Sequence, residues 1–200
     1  GTGRSPVPFC LMNSVFHMPS AIVRNSLAGR CAILEESLGH RDIDHLLDLL
    51  DEAYRLAAWH GPNLRGSVRG VTAREAAFSP KAGRHNIWEI VVHAAYWKYT
   101  VRRRLTGEKR GSFSVQGSNW FATPKNRSEK AWRADIALLD REHKLLRKCV
   151  SSFEPQNLDR RSHGSKTFAR RMITGIALHD VYHAGQIQLI KKLLRGEKSR

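Results

Sequence analysis

Four stretches of this chain repeat apolar residues at spacings of three and four, and no stretch alternates apolar with polar. That period fits one face of an α-helix and leaves nothing from which to build a sheet. Ile43, Leu46, Leu47, Leu50, Tyr54 and Ala57 mark a helix over residues 42–58, with Asp42 as its N-cap and Gly61-Pro62 as its stop. Ile90, Ala94, Trp97, Val101 and Leu105 mark a second over 86–105, ended by Gly107. A third over 128–150 buries Trp132, Ile136, Leu139, His143, Leu146 and Val150. The last, over 170–194, carries Met172, Ile176, His179, His183, Ile187, Ile190 and Leu194. Between the first two, Thr72-Ala73-Arg74-Glu75 has the form of a capping box for one short turn, within an otherwise loop-like stretch that holds Gly66 and Gly70. The expected fold is therefore all-α, a four-helix bundle whose connections are too long for a tight up-down arrangement and require crossovers.

Two hundred residues, 41% hydrophobic and 26% charged, suit one domain with its own core. No apolar run approaches the ~20 residues of a membrane span, which excludes a membrane partner of that kind. Cys10, Cys31 and Cys149 are scattered and odd in number, so the expected setting is a reducing, cytoplasmic one. The formal net charge of +16 raises a nucleic-acid reading. Its densest clusters, Arg102-Arg103-Arg104, Arg160-Arg161 and Arg170-Arg171, sit at helix ends or in loops, and no run reaches five like charges. Cations are favoured at helix C-termini, so nucleic acid is disfavoured as a partner. Residues 1–40 lack a clear period and carry no acid before Glu35. They are expected to form a poorly ordered extension without a site, preceding a bundle domain over 41–196.

The chemistry gathers in the last helix. His179 and His183, at i and i+4, project from one face and fall on the apolar stripe, where unpaired imidazoles are costly to bury. Two imidazoles one turn apart suit a single metal ion; the bland alternative is a pair of satisfied core histidines. His93 faces inward from the second helix and is the best third ligand, and His143 on the third helix stays open as a ligand or supporting group. The other histidines, His85 among them, read as surface residues. Gln186, three residues after His183, and Glu89, one turn before His93, are the candidate catalytic groups, a hydrogen-bonding amide and a general base or imidazole-orienting carboxylate. Tyr96 and Tyr182 read as packing residues, Asp180 as a group reaching a neighbouring helix, and Asn119-Trp120-Phe121 as either a lid or an aromatic loop anchor.

Asn86-Ile87-Trp88-Glu89-Ile90-Val91-Val92-His93-Ala94-Ala95-Tyr96-Trp97 resembles the second-helix motif of the DinB superfamily. His179-Asp180-Val181-Tyr182-His183-Ala184-Gly185-Gln186-Ile187 resembles its last-helix signature, and Gly70 to His85 looks like its entry to the second helix. The resemblance spans Ile43 to Leu194. It implies a DinB-like bundle with crossover connections, in which His93, His179 and His183 hold one divalent ion such as zinc, nickel or iron. Members similar to this include metal-dependent hydrolases and S-transferases or isomerases that use a low-molecular-weight thiol. The implied function is thus a metal-dependent enzyme of hydrolase or thiol S-transferase type. Its expected partners are a small anionic substrate and a second copy of the chain in a homodimer. The alternative is a basic, non-enzymatic module that binds polyanions or nucleic acid and carries a structural metal.

Overall fold

A computed structural model describes residues 39–197, and within them the fold is all-α. Helix α1 covers 39–54; α2 (Leu64–Ser67) and α3 (Ala73–Ala76) are single turns; α4 (Ile87–Thr106), α5 (Glu129–Ser151) and α6 (Ala169–Glu197) are long. A short 3₁₀ turn, Pro155–Asn157, and an isolated bridge between Arg161 and Phe168 lie between α5 and α6. α1, α4, α5 and α6 form the bundle, linked by the long crossovers that the spacing of the stripes requires.

The local causes of these elements are side-chain caps. Asn86 starts α4 by accepting from the Glu89 amide, and Ser128 starts α5 by accepting from that of Ala131. Thr72 and Glu75 complete the capping box of α3 reciprocally. Gly107 closes α4 at φ 77°, a conformation that costs a side-chain-bearing residue, and a Cβ there would press on the His163 ring at 3.3 Å. The expectation for the first helix is corrected at both ends. α1 is already helical at residue 39, so Asp42 is no N-cap; its carboxylate instead receives Arg170 at 3.0 Å. The helix stops at 54, not 58, ahead of a chain segment in which the Asn63 amide draws the Leu56 carbonyl into a 2.7 Å bond. The same Asn63 caps α2, a turn within the stretch read as loop. The expectation for the residues before 39 lies outside the described residues.

Two apolar clusters make the core. Trp88, Trp132, Leu64, Leu139, Ile187 and Ile190 belong to one, and Leu46, Leu50, Leu146, Val150, Ile173 and Ile176 to the other. Each fully buried side chain of this size contributes about 1.5–3 kcal/mol of burial. The two indoles meet at 5.2 Å and keep their N–H groups satisfied, Trp88 donating to Asp135 and Trp132 to the Val71 carbonyl. α6 lines one cluster with its first turns and the other with its later turns. His179, Asp180 and His183 fall at the changeover, so the core itself brings polar side chains to mid-bundle.

Candidate metal centre

His93 on α4 and His179 and His183 on α6 converge. His179 Nε2 lies 3.1 Å from His93 Nε2 and 3.1 Å from His183 Nε2. His93 and His183 are buried, and His179 is half-buried. The far side of two rings is already committed. His93 Nδ1 is 2.8 Å from the Asn119 carbonyl, which can only accept, so Nδ1 carries the proton and Nε2 a bare lone pair. His183 Nδ1 is 2.6 Å from Gln186 Oε1, and the Gln186 amide donates to the Tyr182 hydroxyl at 3.0 Å, which fixes its oxygen toward the imidazole. His183 Nε2 is therefore bare as well. His179 Nδ1 is buried with no partner. A proton on His179 Nε2 can serve only one of its two neighbours, whereas a cation among the three nitrogens serves all of them.

Burial holds the imidazoles neutral, which is the state a metal ligand needs. It pulls His93 down to about 4 against the Asn119 bond, and His179 down to about 3 with added repulsion from His183 and His93. His183 is lowered for the same first reason, opposed by its bond to Gln186. Bonds of ~2.0–2.1 Å from one ion place neighbouring ligand nitrogens about 3–3.4 Å apart, the separation seen here. The cluster fits a single divalent ion, and its ligand atoms all lie within 4.8 Å of one another.

The loop between α4 and α5 closes over this centre. Trp120 stacks on His93 at 3.8 Å and on His85 at 3.6 Å, a histidine–tryptophan–histidine pile on one side of the triad. Asn119, the residue that orients His93, holds φ at 64°, and its side chain accepts from Trp97 Nε1 at 3.0 Å. Asparagine tolerates that left-handed conformation better than other side-chain-bearing residues. Asn119 and Trp120 thus act as a cover, while Phe121 buries in the core with Tyr96 and Phe113.

The sequence-derived candidates divide. His93, His179, His183 and Gln186 come together. Glu89 stands one residue removed: Oε2 takes His85 Nδ1 at 2.8 Å and Oε1 lies 3.3 Å from the Thr123 hydroxyl. His85 is exposed, as its reading as a surface residue expects, and still borders the site through Trp120; its i,i+4 spacing to Glu89 was the available signal. Tyr182, read as packing, is largely exposed and buttresses Gln186 instead. Tyr96 packs as expected among Tyr99, Phe113 and Phe121. His143 is absent from the triad, stacking on Tyr54 at 3.8 Å from within α5. Asp180 does reach a neighbouring helix, where it pairs with Lys98 of α4, both fully buried.

The DinB superfamily profile matches residues 56–187. The chain belongs to the DinB superfamily. All three histidines, and Gln186 with them, lie inside the matched stretch, so the DinB assignment and the geometry concern the same residues. Comparison with curated proteins and with solved structures returns no significant match. The DinB fold, with a three-histidine cluster able to chelate a divalent metal, is thereby established for the described residues.

Proposed function

We propose that this DinB-superfamily chain is a metal-dependent enzyme that acts on a small anionic substrate, as a hydrolase or as an S-transferase using a low-molecular-weight thiol. The observation that carries the reading is the convergence of three histidine Nε2 atoms whose Nδ1 atoms are oriented elsewhere or left orphaned. His93, His179 and His183 would hold one ion, of which zinc, nickel and iron all accept imidazole ligands. When bound, it would supply Lewis acidity that makes a water or a thiol nucleophilic near neutral pH.

The chain's own residues have distinct tasks in this reading. Gln186 fixes the His183 tautomer, and the Asn119 carbonyl fixes that of His93. Glu89 acts through His85, holding the ring against which Trp120 stacks, and so is a positioning residue for the cover. Trp120 restricts water on one side of the triad. The bundle, with α1 beginning at residue 39 and not 41, would be the catalytic domain. The reading includes a cytoplasmic setting, supported by the scattered cysteines, and a homodimeric state. No helix among the described residues is long and apolar enough to cross a membrane.

The polyanion-binding alternative draws less support. Arg102, the first of the densest arginine run, is mostly buried and pairs with Glu108 at 2.6 Å, and Arg170 is shared between Asp159 and Asp42. Elemental analysis of the purified full chain tests the proposal. About one divalent ion per chain is expected, and none after His179→Ala/His183→Ala. Equal metal in the two proteins would overturn the assignment. A screen of hydrolase and thiol-transfer substrates, run beside it, separates the two reaction types.

A further inference from the structure

A cleft of 610 Å³ opens beside the triad, with His183, Gln186 and Trp120 in its wall. That volume is the size of a whole small-molecule site, larger than a water or a thiol alone requires. Its composition is lopsided in two ways. One wall is hydrocarbon: Ile90 and Ile190 form buried parts of it, and Leu189 and Leu193 stay largely exposed on α6. The part contributed by the loop between α3 and α4 carries Lys81 and Arg84, both exposed. Among the described residues, neither cation forms an ion pair, and no acidic side chain lines the cleft.

Unpaired cations are commonplace on a surface, and so is a solitary exposed leucine. Their placement around one concavity that His183 of the triad also lines is less so. Exposed apolar area gains by covering, at about 25 cal/mol per Å², and the rim charges gain most from an anion held where the walls exclude part of the water.

We propose that the cleft binds an amphiphilic monoanion, a hydrocarbon body lying along Leu189, Ile190 and Leu193 with its anionic group at Lys81 and Arg84. The inference rests on the reading of the triad as the reactive centre, since His183 of that centre lines the cleft. Such a ligand would present the atoms nearest its middle or far end to His183 and Gln186, while its charge stays at the rim.

Titration of the full chain with a series of n-alkanoates from acetate to octanoate tests this, followed calorimetrically below any micellar concentration. Affinity should climb with length, by up to about fourfold per methylene. Octanol, which lacks the charge, should bind at least tenfold more weakly than octanoate. Lys81→Glu/Arg84→Glu should weaken octanoate at least tenfold, and Leu193→Asn should flatten the dependence on length. All of these side chains are exposed, so unchanged circular dichroism is expected and keeps the comparison valid. Repeating the titration after chelation separates the inference from the metal reading, because rim and wall binding should survive loss of the ion. Three results would overturn the proposal: affinity independent of length, octanol matching octanoate, or octanoate binding abolished by chelation yet indifferent to the rim and wall variants. Sedimentation of the same samples supplies a fourth. A tight dimer that octanoate does not perturb, and that Leu193→Asn dissociates, would give the leucine wall to a second copy of the chain.

Discussion

The bundle buries two polar clusters, and they are built on opposite terms. In the first, His93, His179 and His183 turn their Nε2 atoms toward one another beside a cleft. In the second, Lys98 and Asp180 pair with no exposure at all, and Tyr54 lies between them and His143, its ring 4.9 Å from the ammonium and stacked on the imidazole. His143 approaches Asp51 at 3.6 Å without a hydrogen bond, and Arg147 occupies Asp51 at 2.8 Å. Both clusters contain histidines that burial keeps neutral, His143 down to about 2, with nearby Lys98 and then Arg55 and Arg147 contributing. Neutral, buried histidine therefore does not define a metal site. Convergence does, together with orientation from the outer nitrogen and an opening to solvent. The second cluster has no shared focus, and its contacts join α1 through Asp51 and Tyr54 to α4, α5 and α6.

The sharpest way to break that distinction is to exchange the histidines. His179→Ala/His183→Ala should remove the bound ion completely, while His143→Phe should leave metal content unchanged; elemental analysis of the two proteins reads both. Next in size is the sealed pair. Asp180→Ala strands a buried ammonium and should cost about 3–5 kcal/mol in urea unfolding, whereas Lys98→Met/Asp180→Leu should cost much less because no charge is left behind. A smaller effect is expected at the support of the triad. Gln186→Ala should weaken metal affinity by about 10–100-fold, measured by competition with a chelator, and Gln186→Glu should restore part of it, since a carboxylate still accepts from His183 Nδ1.

The smallest prediction concerns pH. A histidine whose folded-state pKa is depressed supplies stability that is complete above its unfolded value near 6.5 and is lost as pH falls below it. Between pH 7 and 5 the His143 contribution should fall by about 1–2 kcal/mol, and His143→Phe should flatten that part of the stability profile in parallel urea titrations. A profile unchanged by the substitution would mean that the Asp51 carboxylate compensates the buried imidazolium.

Most of the bundle was legible because each long helix declares its period and its caps locally. Asn86, Gly107 and Ser128 act where the chain itself signals an end. The failures are at places where a distant or short-range partner decides. Nothing near residue 42 announces Arg170, and a four-residue turn such as α2 is too short to express a period. In the site, spacing made the His179 and His183 pair readable, and the family resemblance chose His93 over His143 as the third member. Trp120 between two rings was not, since a loop aromatic carries no register that assigns its neighbours. Lys98 escaped notice altogether: a lysine reads as surface until a carboxylate 82 positions away in the chain meets it in the interior. His143 shows the converse. Its stripe position predicted burial correctly and said nothing about which cluster it would join.

α6 runs unbroken for 29 residues and bears first the two histidines of the triad, then Gln186, then the leucine wall. The family match ends at residue 187, ahead of Leu189, Ile190 and Leu193. One rod thus carries the triad histidines and the leucine wall in succession. Substitutions two turns beyond the histidines could redirect which molecule is received without disturbing the triad, making the distal end of α6 the natural place to retrain the protein for a new ligand.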